Sequence, residues 1–456
     1  MTRWLTRLVV LGVSTLLAFA LVAPASAEVE VSNDSYQTPD PRTITFTIRA
    51  TGDPLASATL DYRVVSPDGN VGGDVQATVT PGATSDLSAT LTTNGTSSGT
   101  DFYIPVGSVI AYSWTLVAQD GTTTETEEQT FVFLDGRETW QELVEDNVTI
   151  YWYDNIADAQ EALAATADSI ADIEELLQVE LDFPVRVIVY PRESEGELAQ
   201  RSRGSTFDSQ IITGGSRVSA DVLHIYDGLG SFTDIARHEA AHLVTKVAGD
   251  GAFTRIPAWL DEGTAVYAQL DPGGGYRTAV TFAVSTDETL RLRNMNASSN
   301  RPDVVNLFYG QSWSTVAYMI DEYGEDAFAE VFRLVKSGRL IDDALTEVYG
   351  VDQDGLYNEW RVSQGLSEIE YAPVVQATAN PDAAATRAPL ALPTSVSSGS
   401  GGASGAATSG PSQGSSDSAA SEGGGNTTTA IIIIAIALLA AGGLGGLGFK
   451  LMKSSK

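Results

Sequence analysis

Between residues 28 and 135 apolar and polar positions alternate along the chain. Ile44, Phe46 and Ile48 share one strand face, as do Leu60, Tyr62 and Val64, and Ile110, Tyr112, Trp114 and Leu116 repeat the pattern. Pro67-Asp-Gly-Asn70 and Gln119-Asp-Gly121 supply turns between such runs. About seven short strands in a stretch of this length predict an all-β sandwich of immunoglobulin or fibronectin type. No chemistry stands out within it, so it reads as a spacer or binding module. From residue 138 the period changes. Val148 to Tyr153 reads as a strand, and Ile156, Ala159, Leu163, Ala167 and Ile170 carry the helical spacing on to about Leu177. Pro184 to Tyr190 and Val218 to Tyr226 read as further strands. Helices then dominate: one after Ser231 and Asp234, one opening at Pro257, and segments near 309–323, 325–337, 340–349 and 353–363. A strand-bearing lobe followed by a helical lobe makes 138–371 an α+β domain, and the chain as a whole multidomain.

The ends are of another kind. Residues 1–27 have the form of a secretory signal: Arg3 and Arg7, an apolar run from Leu8 to Val22, and Ala25-Ser26-Ala27 as a small-residue cleavage site. Residues 372–428 are rich in Ala, Ser, Gly and Thr and carry too little apolar surface to order themselves. A flexible linker is expected there, with a reach of about 40 Å. Residues 429–449 are apolar and long enough for one transmembrane helix, and Lys450, Lys453 and Lys456 follow it. Basic residues behind the span place a short cytoplasmic tail, 450–456, inside and the folded body outside. Leu392-Pro-Thr-Ser-Val396 lacks a full sortase-type pattern, so the membrane helix is the expected anchor.

Composition narrows the function. The chain has no cysteine, which excludes disulfides, lipid attachment through a thioether and thiolate metal ligands. A disulfide-free exported protein suggests a bacterial cell membrane, with a single pass and an extracellular body. The net charge is −33, and −38 once the two leader arginines and the three terminal lysines are set aside. Such a surface excludes nucleic acid as a partner.

The chain has three histidines, and two lie in His238-Glu239-Ala240-Ala241-His242. Residues four apart share a helix face, so both imidazoles can reach one metal ion, with Glu239 placed as a general base beside them. Catalytic zinc takes three protein ligands and keeps one position open. No histidine follows the motif, and Glu262 in Pro257-Ala-Trp-Leu-Asp-Glu-Gly-Thr-Ala265, twenty residues after His242, is the candidate third ligand. Asp261 is either a partner of a ligand or a solvated acid. His224, in the strand Asp221–Tyr226, either touches substrate or, the stronger reading, is satisfied by a neighbour. Asp352-Gln-Asp-Gly355 matches the start of a calcium loop and lacks the rest, so a helix-start turn explains it better.

HExxH followed about twenty residues later by Glu resembles the gluzincins, the thermolysin-like zinc peptidases, and Trp259-Leu-Asp-Glu-Gly-Thr-Ala265 is similar to their peptidase-MA-like group and its aminopeptidase relatives. The resemblance covers roughly residues 138–371 and implies a zincin-like fold, one Zn2+ ion on His238, His242 and Glu262, and peptide or protein substrates. By the same resemblance Tyr309, in Tyr309-Gly-Gln-Ser-Trp313, would lie just before a helix and donate to the oxyanion. The Gly-x-Met-Glu-Asn motif with which the aminopeptidase relatives hold a free amine is missing, which points to an endopeptidase. The rival reading is a binding or adhesion protein that keeps a metal-binding peptidase fold without turnover.

Overall fold

A computed structural model describes residues 29–371, with breaks at 81, 96–101, 202–210, 213, 229–230, 299–300 and 302, together with residues 433–434. The expected leader, tail, and all but Ile433–Ile434 of the linker and apolar span lie outside the described residues. Among the described residues no helix is long and apolar enough to cross a membrane.

The alternating stretch forms two antiparallel sheets. One has the order β1-β2-β5, from Glu30–Asp40, Thr43–Thr51 and Thr84–Thr92. The other brings together β3 (Leu55–Val65), β4 (Val71–Gln76), β6 (Val109–Ala118) and β8 (Gln129–Val132) in the order β8-β6-β3-β4, with β7 (Thr123–Glu125) beside β6. Ile44, Phe46 and Ile48 from one sheet meet Leu60, Ile110, Tyr112, Trp114 and Leu116 from the other in one core. β2 and β5 bury every second residue, as the period of two requires.

The next domain opens on a five-stranded mixed sheet. Its order is β9-β10-β11-β13-β12, from Gln141–Glu145, Val148–Trp152, Val185–Tyr190, Val222–Tyr226 and Gly215–Arg217. β10, β11 and β13 run parallel, while β9 and β12 are antiparallel edges. Helix α1, Ile156–Leu177, is capped by the Asn155 side chain and covers one face. The remaining helices complete that side: α2 (Phe232–Gly249), α3 (Ala258–Tyr267), α4 (Gly274–Thr286), α5 (Val305–Tyr323), α6 (Glu325–Lys336), α7 (Ile341–Tyr349) and α8 (Gln353–Ser363).

The opposite face of this sheet is covered by the sandwich. Val185, Val187 and Val189 of β11 point into the helical core, while Ile188 and Tyr190 join the core of the sandwich. β13 divides in the same way, with Leu223 and Ile225 on one side and Val222 and Tyr226 on the other. A sheet covered on both faces needs apolar residues at successive positions, which explains the nearly unbroken apolar run of Val185–Tyr190. The N-terminal unit is thus packed into the fold, where the sequence suggested a spacer. Polar groups fix the contact: Arg186 donates through Nε to Gly107 O at 2.7 Å and pairs with Asp221, both side chains being buried.

His224 belongs to this interface. It is fully buried, its Nε2 donates to Val106 O at 2.8 Å, and burial pushes its pKa down to about 4. The satisfied-neighbour reading holds, and substrate contact does not. The folded ring is neutral, whereas the unfolded ring takes a proton below its ordinary value of ~6.5. Stability present above pH 6.5 is therefore lost as the pH falls toward 4, by about 3 kcal/mol from this group. Urea unfolding at pH 7 and pH 4.5 should show a larger loss for the natural protein than for His224→Gln, which keeps a donor but does not titrate. Equal losses would remove this role from His224.

Candidate metal centre

Helix α2 starts where Ser231 Oγ accepts the backbone N–H of Asp234 at 3.3 Å, the capping pair expected from the sequence. It runs through Gly249, which sits tightly against Ile256 and Phe332. The helix is buried on nearly every side, and His238, Glu239 and His242 are buried with it. Helix α3 begins at Ala258 directly after Pro257, so Glu262 stands at its fifth residue. Trp259 and Leu260 anchor the helix in the core, and Trp259 Nε1 donates to Gln353 Oε1 at 3.2 Å. Gly263 allows α3 to reach α5: a Cβ there would lie 2.5 Å from Ser312 O.

These two helices bring the predicted ligands together. His238 Nε2 and His242 Nε2 are 3.3 Å apart, and Glu262 Oε2 is 3.4 Å from each. Tetrahedral zinc with bonds of about 2.0–2.1 Å spaces its ligand atoms by about 3.3 Å. Glu262 Oε2 is a buried oxygen without a hydrogen-bond donor. The donor set, two imidazoles and a carboxylate, is also that of catalytic zinc, so the residues fit the metal.

The far sides of both rings are held. His242 Nδ1 donates to Asp261 Oδ1 at 3.0 Å, and Asp261 also accepts from Thr245 Oγ1 and pairs with Lys246 Nζ, each at 2.6 Å. His238 Nδ1 lies 3.0 Å from the side-chain amide of Gln269. With its Nδ1–H donated to Asp261, the His242 Nε2 lone pair points to the centre of the cluster, and the same tautomer at His238 requires the Gln269 amide to turn its oxygen to Nδ1. Asp261 thus orients a ligand, whereas Gln269, just beyond the end of α3, carries no motif that would have revealed it.

The charges are unevenly balanced. Burial opposes ionisation of Asp261, yet His242 and Lys246 outweigh it and hold the carboxyl well below its ordinary range. Glu262 is likewise opposed by burial and drawn down to about 2 by the two histidines. Burial disfavours the charged form of His242, but Asp261 and Glu262 overcome this and raise its pKa strongly. The cluster therefore attracts positive charge, which a divalent cation between the rings supplies. Glu239 differs: burial pushes its carboxyl up, and the histidines pull it back only in part.

Around this centre stand β12 and two tyrosines. Gly215 faces Glu239 so closely that a Cβ would lie 2.7 Å from Glu239 Cγ. Tyr226 N donates to Gly214 O and Val218 N to Val222 O, each at 2.9 Å. Gly215 and Arg217, the residues between, therefore turn their backbone polar groups away from β13 toward the edge of the sheet. The Tyr309 ring centroid is 6.1 Å from that of His238, and Tyr276 stacks on Tyr309 at 5.7 Å. Tyr309 lies inside α5, which begins four residues earlier than the sequence suggested, and not before the helix. Burial raises its pKa far above the ordinary tyrosine value, so it remains a donor. Tyr276, in the first turn of α4 just after Gly273-Gly-Gly275, was not anticipated from the sequence. Asp352 is a helix cap, accepting from Asp354 N and Gly355 N at 3.1 and 3.0 Å, as its helix-start reading required.

No curated protein matches this chain significantly. Among solved structures, yeast LTA4 hydrolase in complex with bestatin is similar at 10% identity and a TM-score of 0.32, over 73% of this chain and 65% of that one. The chain thus spans about two thirds of that protein's length. An M1 zinc metallopeptidase mutant from Deinococcus radiodurans bound to a Tyr-Ser-Ala substrate is similar at 13% identity and a TM-score of 0.34, over 78% of this chain and 98% of that one. Residues 164–364 match the family model of the Peptidase MA superfamily. That span carries the whole His238–His242–Glu262 cluster.

Proposed function

We propose that the protein is a zinc endopeptidase held on the outer side of a membrane. The observation that carries this reading is the triangle of His238 Nε2, His242 Nε2 and Glu262 Oε2, with sides of 3.3, 3.4 and 3.4 Å. Bound zinc supplies Lewis-acid polarisation of the scissile carbonyl and lowers the pKa of a coordinated water toward ~7. Glu239 accepts the proton of the attacking water and passes it to the leaving amine, and its raised pKa brings it closer to the working pH for both steps. The Tyr309 hydroxyl donates to the oxyanion as the tetrahedral centre forms. The outward N–H and C=O of Gly215 align an extended substrate along β12 by strand addition. The missing Gly-x-Met-Glu-Asn motif favours cleavage within a chain over removal of one N-terminal residue. The leader over 1–27, the linker over 372–428 and the apolar span over 429–449 support tethering.

Three measurements test this reading. The purified chain, incubated with zinc and freed of excess, should hold one ion, and His242→Ala should hold almost none. A folded natural chain without zinc would remove the proposal. Glu239→Gln should keep the ion and lose most turnover of peptides, on the order of a hundredfold or more, because an amide cannot take the water proton. Turnover at the natural rate would reassign Glu239, and zinc binding with no turnover of any peptide by the natural chain would favour the adhesion reading. Asp261→Asn should weaken zinc affinity by about 10–100-fold in competition with a chelator, since it leaves His242 without an anionic partner. An unchanged affinity would limit Asp261 to a packing role.

A further inference from the structure

A cavity of about 690 Å3 lies beside the metal cluster, between the sandwich and the helical lobe. Its wall includes Arg217 of β12, Lys246 and Asp250 at the end of α2, Arg255, Lys336, and Asp68 from the β3–β4 turn. Lys246 is about one helical turn beyond His242, about 6 Å along the axis. Its ammonium rests on Asp261, which holds His242. Asp261 and the His242 ring separate the cavity from the metal position on that side, and the link between cavity and cluster is β12, where Gly215 faces Glu239 and Arg217, two residues on, lines the cavity.

Its cations are not equally occupied. Lys246 is engaged by Asp261, and Arg255 by Asp250 at 3.3 Å. Arg217 has no hydrogen-bond or ion-pair partner for its guanidinium among the described residues, and its Nε is buried. Burial works against its charge. Asp68, Asp261, Asp250 and Asp221 act on it through space and favour its charge, but burial outweighs them and none of the four bonds to the guanidinium. Side chains alternate along a strand, so Arg217 projects on the same side of β12 as Gly215, the side that faces Glu239 and α2. A guanidinium presents a planar fork that matches a carboxylate, and a desolvated one without a partner is costly.

We propose that this cavity is a substrate subsite that takes a carboxylate, with Arg217 as the residue that selects it. The inference rests on the peptidase reading and names its substrate class: peptides with an acidic group within a few residues of the scissile bond. Lys336 and Lys246 add to the positive potential around the fork.

The test uses the zinc-loaded full chain and peptides blocked at both ends. The peptides are identical except for Glu, Gln or Lys at successive positions on either side of one cleavage site. Binding is measured by calorimetry on the Glu239→Gln form, and kcat/KM on the otherwise natural chain. At one position Glu should exceed Gln by on the order of tenfold or more, the range for a charge-assisted pair. Arg217→Gln should bring that ratio to about one, and Arg217→Lys should keep part of it. The conservative variant decides the matter if Arg217→Gln does not fold. A second series with a free C-terminal carboxylate and no acidic side chain separates the two sources of the group. Dependence on Arg217 in that series alone assigns the site to the chain end and supports the carboxylate inference in that form. Equal binding of Glu, Gln and free-end peptides by the natural chain overturns the inference, as does a preference that survives both Arg217 substitutions. Turnover without charge preference removes the subsite and leaves the peptidase. Binding that depends on Arg217 without turnover of any peptide removes the peptidase and leaves the subsite.

Discussion

Two imidazole nitrogens and a carboxylate oxygen converge within 3.4 Å of one another in a buried site. Each is a Lewis base, and with its Nδ1 proton given to Asp261 the His242 Nε2 needs none of its own. Such a group is stable only around positive charge, and the surroundings are built to that demand. Asp261 and Gln269 fix the rings from behind, Lys246 and Thr245 fix Asp261, and Gly263 lets the ligand helix approach α5. The burial of α2 on nearly all sides follows from the same requirement. A helix that must hold two rings in register cannot shift, and packing on all faces removes its freedom.

Rigidity on the far side of the sheet comes from the sandwich. A sheet with helices on one face and water on the other would leave Ile188, Tyr190, Val222 and Tyr226 exposed. At roughly 25 cal/mol per Å2, covering side chains of this size contributes several kcal/mol. The buried Arg186–Asp221 pair and the His224 contact add specificity, because they must be desolvated together to form. The edge strand that faces the metal cluster is therefore positioned by both domains. Its register with β13 is set on the sandwich side by His224, which pairs with Ser216 across the ladder.

Much of this was legible in the chain because the signals were local. The helix 156–177, the capping pair Ser231–Asp234 and the Asp352 turn are short-range chemistry, and each stands where the sequence put it. His238, His242 and Glu262 were legible because helical periodicity converts sequence spacing into proximity. Gln269, Tyr276 and Arg217 were not, since each reaches the site through tertiary packing from a segment with no motif. The union of sandwich and sheet was written more faintly. Val185–Tyr190 is apolar at five of six positions, more than one buried face needs, and the exception, Arg186, is the residue that grips the other domain. Such a run fits burial on both faces without saying which partner supplies the second.

The charge of the chain takes on a different meaning beside this site. A net charge of −33 repels acidic partners at long range, but the exposed carboxylates responsible are screened over roughly 8 Å at physiological ionic strength. Inside the cleft the local arrangement dominates. Arg217, Lys246 and Lys336 stand within one cavity, where Lys246 is paired with Asp261 and Asp250 with Arg255, while Asp68 and Asp182 are exposed at its rim. Long-range repulsion slows the approach of an acidic peptide without altering how its carboxylate is held once docked. The negative surface therefore serves solubility, and under the proposed reading selection among substrates falls to Arg217 and the charges beside it in the cavity.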